Sequence, residues 1–290
     1  MAGETGPITV SLPMAMAIAG FFAISIYNTA EILIWIAHTF KRRTSLYFWS
    51  LLIASAGIPI HAVGVLLRFF ALAPNLPMCV VIIIGWQAMV TGQSVVLFSR
   101  LHLVVSNSLK IRWVLVMIVV NYFVLHVPVS VLFLASNSAS PDNFIGPFNI
   151  YEKIQLAGFS VQETIISGLY LWETVYGLKP VLEIKGADGK RITRHLLLLF
   201  IVVVILDSSL MATEYTNNFQ IQTTYKPVVY SIKLKIEFVI LNELINVTRA
   251  TSFLENVPSS LSRHFMRNDT RKDTSGHTAA PPPTIGSRLG

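Results

Sequence analysis

Five carboxylates lie within long apolar runs of this sequence: Glu31, Glu163, Asp207, Glu237 and Glu243. In "YNTAEILIWIAHTFKRR", Glu31 is followed by Ile32, Leu33, Ile34, Trp35 and Ile36. A charge at the centre of a hydrocarbon layer costs about 2.5–3.5 kcal/mol even on a lenient insertion scale, so each acid needs a partner or a task. Lys233 and Glu237 stand four residues apart and read as an ion pair on one helix. Glu31, Glu163 and Asp207 have no lysine or arginine three or four residues away, so pairing within their own helices cannot explain them. These three are the candidate catalytic acids. Desolvation favours the neutral form of a carboxyl, and a neutral carboxyl can donate a proton as a general acid. Glu31 can equally be a structural clasp facing the bundle interior.

The residues around them repeat at helical spacing. Tyr27, Asn28, Glu31, Trp35 and His38 share one helix face, and Gly57, His61, Gly64 and Arg68 share another. Gln87, Thr91 and Ser94 form a stripe, with Ala88 and Gly92 as a small-residue contact. Ser160, Glu163, Thr164 and Ser167 form a second polar stripe, and Asp207 aligns with Glu214. Asn28, His61, Trp86, Gln87 and Glu237 are the candidate substrate-binding residues. His61 reads alternatively as a hydrogen-bonded interior histidine, Arg100 and Glu173 as snorkelling or paired groups, and the tryptophans as packing or interface anchors.

The elements that position these groups follow from composition. The 290 residues are 53% hydrophobic and 13% charged, against roughly 25% charged in soluble domains, and the mean hydropathy is +0.61. Such a chain is a polytopic membrane protein. Its net charge of +7 comes from cations in short loops and does not point to nucleic acid. Cys79 is the single cysteine, so no intramolecular disulfide forms. Residues 1–13 carry no lysine or arginine, and no cleavable signal peptide is expected.

Apolar runs mark seven spans, at about 13–39, 46–70, 77–104, 112–135, 154–178, 195–213 and 226–248. Barrel strands would be shorter and would alternate, so the fold class is all-α: a seven-helix transmembrane bundle over 13–250, between an N-terminal segment 1–12 and a tail 251–290. Lys41, Arg42 and Arg43, then Lys110 and Arg112, then Lys179, Lys185, Lys190, Arg191 and Arg194 occupy alternate loops, and Arg249, Arg263, Arg267, Arg271 and Lys272 follow the last span. The excess of cations on one side predicts an outside or lumenal N-terminus and a cytosolic C-terminus. The sequons at Asn246 and Asn268 then face the wrong side for glycosylation. The proline-rich tail reads as disordered.

Motifs of soluble enzymes are missing: no glycine-rich phosphate loop, HExxH, CxxC or aspartate-rich magnesium motif occurs, and neither a metal nor a cofactor is expected. Buried acids beside aromatic faces could protonate an olefin or epoxide and stabilise the resulting cation while the membrane excludes water. The segments "YNTAEILIWIAHTF", "GWQAMVTGQSVVLFSRLHLVV" and "ISGLYLWETVYG" resemble fungal seven-helix integral membrane proteins, among them membrane-bound terpene cyclases of the ascofuranone, ascochlorin and macrophorin type. The likeness covers roughly residues 15–250. It implies metal-free cyclisation of a lipophilic prenylated substrate in secondary metabolism, which favours the endoplasmic reticulum over the plasma membrane. The alternative is a seven-helix receptor or sensor signalling through its basic cytosolic loops. A retinal protein, with Lys233 or Lys235 as the Schiff base, and a transporter are weaker fits, the latter because no internal repeat is visible.

Overall fold

The computed structural model describes residues 8, 10–40, 44–105, 107–138, 142–177, 187–216 and 218–255. Regular structure among them is entirely helical. The helices are α1 (Leu12–Thr39), α2 (Leu46–Phe69), α3 (Asn75–Val104), α4 (Ser108–Ser136), α5 (Asp142–Gly177), α6 (Ala187–Tyr215) and α7 (Phe219–Glu255). Their starts follow local chemistry. Ser45 Oγ accepts the Phe48 amide at 3.1 Å ahead of α2, and Asn107 Oδ1 accepts the Leu109 amide at 3.0 Å ahead of α4. Pro13 sits in the first turn of α1, where its missing N–H costs nothing.

Helices α1, α2, α3, α4 and α6 are long and apolar enough to cross a membrane. Burial supports the same reading by being inverted relative to a soluble protein. Arg68, Arg100, Glu163 and Lys233 are buried, whereas Ile34, Trp113, Phe123, Val131 and Ile205 are exposed. Polar groups inside and bare hydrocarbon outside suit a lipid solvent.

Each expected span overlaps one of these helices, of which only the five named above are long and apolar enough to cross, and several ends move. The fifth begins at Asp142 rather than near 154, running through Gly146 and Pro147, and the seventh begins at Phe219 rather than 226. Helix α4 contains a π-helical turn at Tyr122–His126. Pro128 follows it and cannot donate to the preceding turn, so the wider turn absorbs the missing bond.

Helices α2 and α3 pack closest, through glycines. A Cβ on Gly85 would lie 2.4 Å from the His61 amide nitrogen, and one on Gly57 would lie 2.6 Å from that of Met89. The expected contact of Ala88 and Gly92 is present, with Ala88 against Gly57 and Gly92 against Ala54.

The chain divides into two units, 1–243 and 244–290. The second is described only to Glu255 and is helical there. The expected cationic positions 41–43, 179 and 185, the sequon at 268 and the tail from 256 lie outside the described residues. The side chains of Lys190, Arg191, Glu243 and Asn246 do as well.

Candidate functional site

Helix α7 places Lys226, Tyr230, Lys233 and Glu237 at spacings of four, three and four, on one stripe, and all four are buried. Each charge on the stripe meets a partner from another helix. Lys226 Nζ donates to Glu152 of α5 at 2.7 Å. Lys233 Nζ donates to Glu163 of α5 at 2.8 Å and also to Asp207 of α6. Glu237 accepts from Arg100 of α3, whose guanidinium lies 4.0 Å from the Tyr170 ring centroid. Gln222, one turn before Lys226, bridges Glu152 and Glu214. The result is a column of ion pairs running along α7 and tying it to α3, α5 and α6.

This column corrects two expectations, and a separate contact decides Glu31 in favour of its clasp reading. Lys233 and Glu237 do not pair with each other; each turns to other helices. Glu163 and Asp207 are not unpaired acids, because they share the Lys233 ammonium. Glu31 is neutralised as well: Lys235 Nζ donates to it at 2.5 Å and to Asn28 Oδ1 at 2.7 Å, while Asn28 Nδ2 donates to Ser231 Oγ at 3.0 Å. Glu31 and Asn28 therefore clasp α1 to α7. An ammonium beside a carboxylate favours its charged form, which does not donate a proton.

The Glu31 clasp is partly exposed, with side chains 30% and 23% accessible, whereas Lys233 is completely enclosed. Glu31→Gln takes the countercharge from Lys235 and is expected to lower the melting temperature, by less than loss of the enclosed Lys233, as read by thermal unfolding in detergent. Glu173, expected near the inner end, pairs with Lys110 at the surface.

Gln87, another expected substrate ligand, donates to Ser130 Oγ at 3.0 Å and accepts from Tyr122. His61 and Trp86, in contrast, line a pocket with Arg68, Ser130, Phe133, Phe148, Glu152, Phe219, Thr223 and Lys226 among its walls. Of the eight residues proposed from the sequence, only His61 and Trp86 reach it.

Three residues that matter here were missed. Glu152 fell before the expected fifth span, and Lys226 was only the first residue of the seventh. The third is His126 in the π-turn. Its Nε2 is 3.1 Å from Thr91 Oγ1, and its ring packs on Trp86 and Phe159 with centroids 4.5 and 4.4 Å away. The proline two residues downstream was the available signal for that turn. Arg68 is held by Asn75 Oδ1 at 2.8 Å and Asn137 Oδ1 at 2.7 Å, with its guanidinium 5.3 Å from the Phe133 ring. Among the described residues, no three His, Cys, Asp or Glu side chains stand together as metal ligands.

The apolar exterior and the buried ion pairs together suit a helical membrane protein. The chain matches, over residues 5–256, the family described as a domain of unknown function, DUF7703, and it belongs to that family. No curated protein matches it.

Proposed function

We propose that this protein is a seven-span membrane sensor that recognises a lipophilic small molecule in the pocket and transmits occupancy along α7. Its N-terminus lies outside or in the lumen and its C-terminus in the cytosol, in keeping with the alternation of cationic segments. The observation that carries the reading is the double position of Lys226. It stands in the pocket wall and also on the buried stripe with Lys233 and Glu237. A ligand that shifts Lys226 loads every ion pair further along the helix, and packed, paired interfaces respond by switching rather than by bending.

A second reading, metal-free cyclisation of a prenylated phenol at the endoplasmic reticulum, draws support from Trp86, Phe133, Phe148 and Phe219 in the pocket wall. Aromatic faces stabilise a developing carbocation. Against it, the one carboxylate lining the pocket among the described residues, Glu152, accepts from both Lys226 and Gln222. A salt-bridged carboxylate makes a poor proton donor.

One experiment separates the two. Trp35, Trp49, Trp113 and Trp172 are replaced by phenylalanine, leaving Trp86 as the sole indole, and the protein in nanodiscs is titrated with a farnesylated phenol in EDTA. The sensor reading predicts a saturable change in Trp86 emission and recovery of unaltered phenol by mass spectrometry and NMR. A cyclic isomer of unchanged mass transfers the case to the cyclase. An unresponsive Trp86 with no product defeats both.

A further inference from the structure

Two side chains in the pocket wall hold polar atoms with nothing to bond. His61, 97% buried on α2 by its 3% accessibility, has its Nδ1 3.2 Å from the Ile82 carbonyl. A carbonyl only accepts, so Nδ1 carries the proton, and the Nε2 lone pair of the neutral ring is left without a donor. Thr223 on α7, 7% accessible, leaves its Oγ1 equally unpartnered. Its neighbour Thr224 bonds back to the Gln220 carbonyl at 2.8 Å, the ordinary resort of a helical threonine. Thr223 forgoes that bond. Both residues line the same pocket. Buried polar atoms left unbonded in native proteins usually mark a missing partner.

We infer that the pocket is a site for an uncharged, hydroxyl-bearing lipophile, whose hydroxyl donates to His61 Nε2 and accepts from Thr223 Oγ1. The charged wall residues are already engaged, Lys226 with Glu152 and Arg68 with Asn75 and Asn137, so they do not call for a charged head. Trp86, Phe133, Phe148 and Phe219 supply an aromatic surface for the body of the molecule. This deepens the sensor reading and rests on its pocket.

The test uses para-octylphenol, its methyl ether and para-octylbenzoate, binding to the full chain in nanodiscs with Trp86 as the sole indole. The phenol is expected to bind about tenfold or more tightly than the ether, which cannot donate. Thr223→Val, near in shape to the native side chain, and His61→Phe should each shrink that ratio severalfold while the ether binds as before. Unchanged ether binding also certifies that the variants are folded. Equal affinity for phenol and ether overturns the inference, the two orphan atoms then being satisfied by water, yet leaves the pocket as a lipophile site. Tightest binding by the benzoate overturns it in favour of an anionic head. No binding by any probe removes both the inference and the pocket reading beneath it.

Discussion

Lys233→Met is expected to destabilise the protein by about 3–5 kcal/mol, enough to abolish recovery of monodisperse protein from membranes. The ammonium is completely enclosed and serves two carboxylates, Glu163 and Asp207, themselves nearly inaccessible. Its removal leaves two acids facing each other with no cation between them, and methionine restores only the packing. Glu163 Oε1 and Asp207 Oδ2 have no hydrogen-bond partner, so much of each acid's charge rests on the lysine. The substitution at the surface pair, Lys110→Met, is the control. It releases Glu173 into a setting 21% accessible and should shift the melting temperature little. Size-exclusion profiles and thermal unfolding in detergent give the comparison. Equal behaviour of the two variants would mean that burial at Lys233 carries no electrostatic weight.

Gly85→Val is expected to cost about 3 kcal/mol by a different route. The glycine faces main chain and not a side chain that could swing aside: its absent Cβ would lie 2.4 Å from the His61 nitrogen and 2.8 Å from the His61 Cα. Relief requires α2 and α3 to separate. That motion carries His61 away from Ile82 and opens the pocket at its floor, so probe binding should fall along with stability. Gly20→Val is the matched control, because nothing lies within 4 Å of that position. A Gly85→Val protein that melts like the parent would show that the two helices do not meet this closely.

How much of this was legible beforehand depends on the range of each interaction. The spans were readable because a run of some twenty apolar residues is a local property, and the ends of α1, α2 and α3 fall within two residues of expectation. The start of α5 was not. "DNFIGPFNI" combines glycine, proline and asparagine, a loop composition, yet it is helical once packed. The faces of α2 and α3 were also readable, since glycine spacing alone showed where a neighbour must come close.

The acids were misjudged for a physical reason. Periodicity reports which residues share a helix face, whereas Glu163 and Lys233 are separated by 70 residues and Glu31 and Lys235 by 204. No pattern along one helix could pair them. Searching for cations at i±3 and i±4 was therefore the wrong test for solitary acids; the stripe of Lys226, Lys233 and Glu237 on a single helix was the better signal, because a helix burying alternating charges needs partners on every side. His61 and Trp86 reached the pocket because they lie on helix faces fixed by close packing. Glu152 and Lys226 were overlooked because both sat at the edges of apolar runs, where charge looks unremarkable.

The membrane-depth acids are countercharges that fasten α7 to its neighbours. The most direct test of that role is the variant Lys233→Met with Glu163→Gln and Asp207→Asn, which removes the whole cluster's charge, compared with Lys233→Met alone by thermal unfolding in nanodiscs. Removing all three charges together should restore most of the stability lost with the lysine, since buried ion pairs are replaceable by neutral groups of similar volume. A triple variant no more stable than Lys233→Met would contradict the claim, and the three residues would then owe their place to something other than their charges.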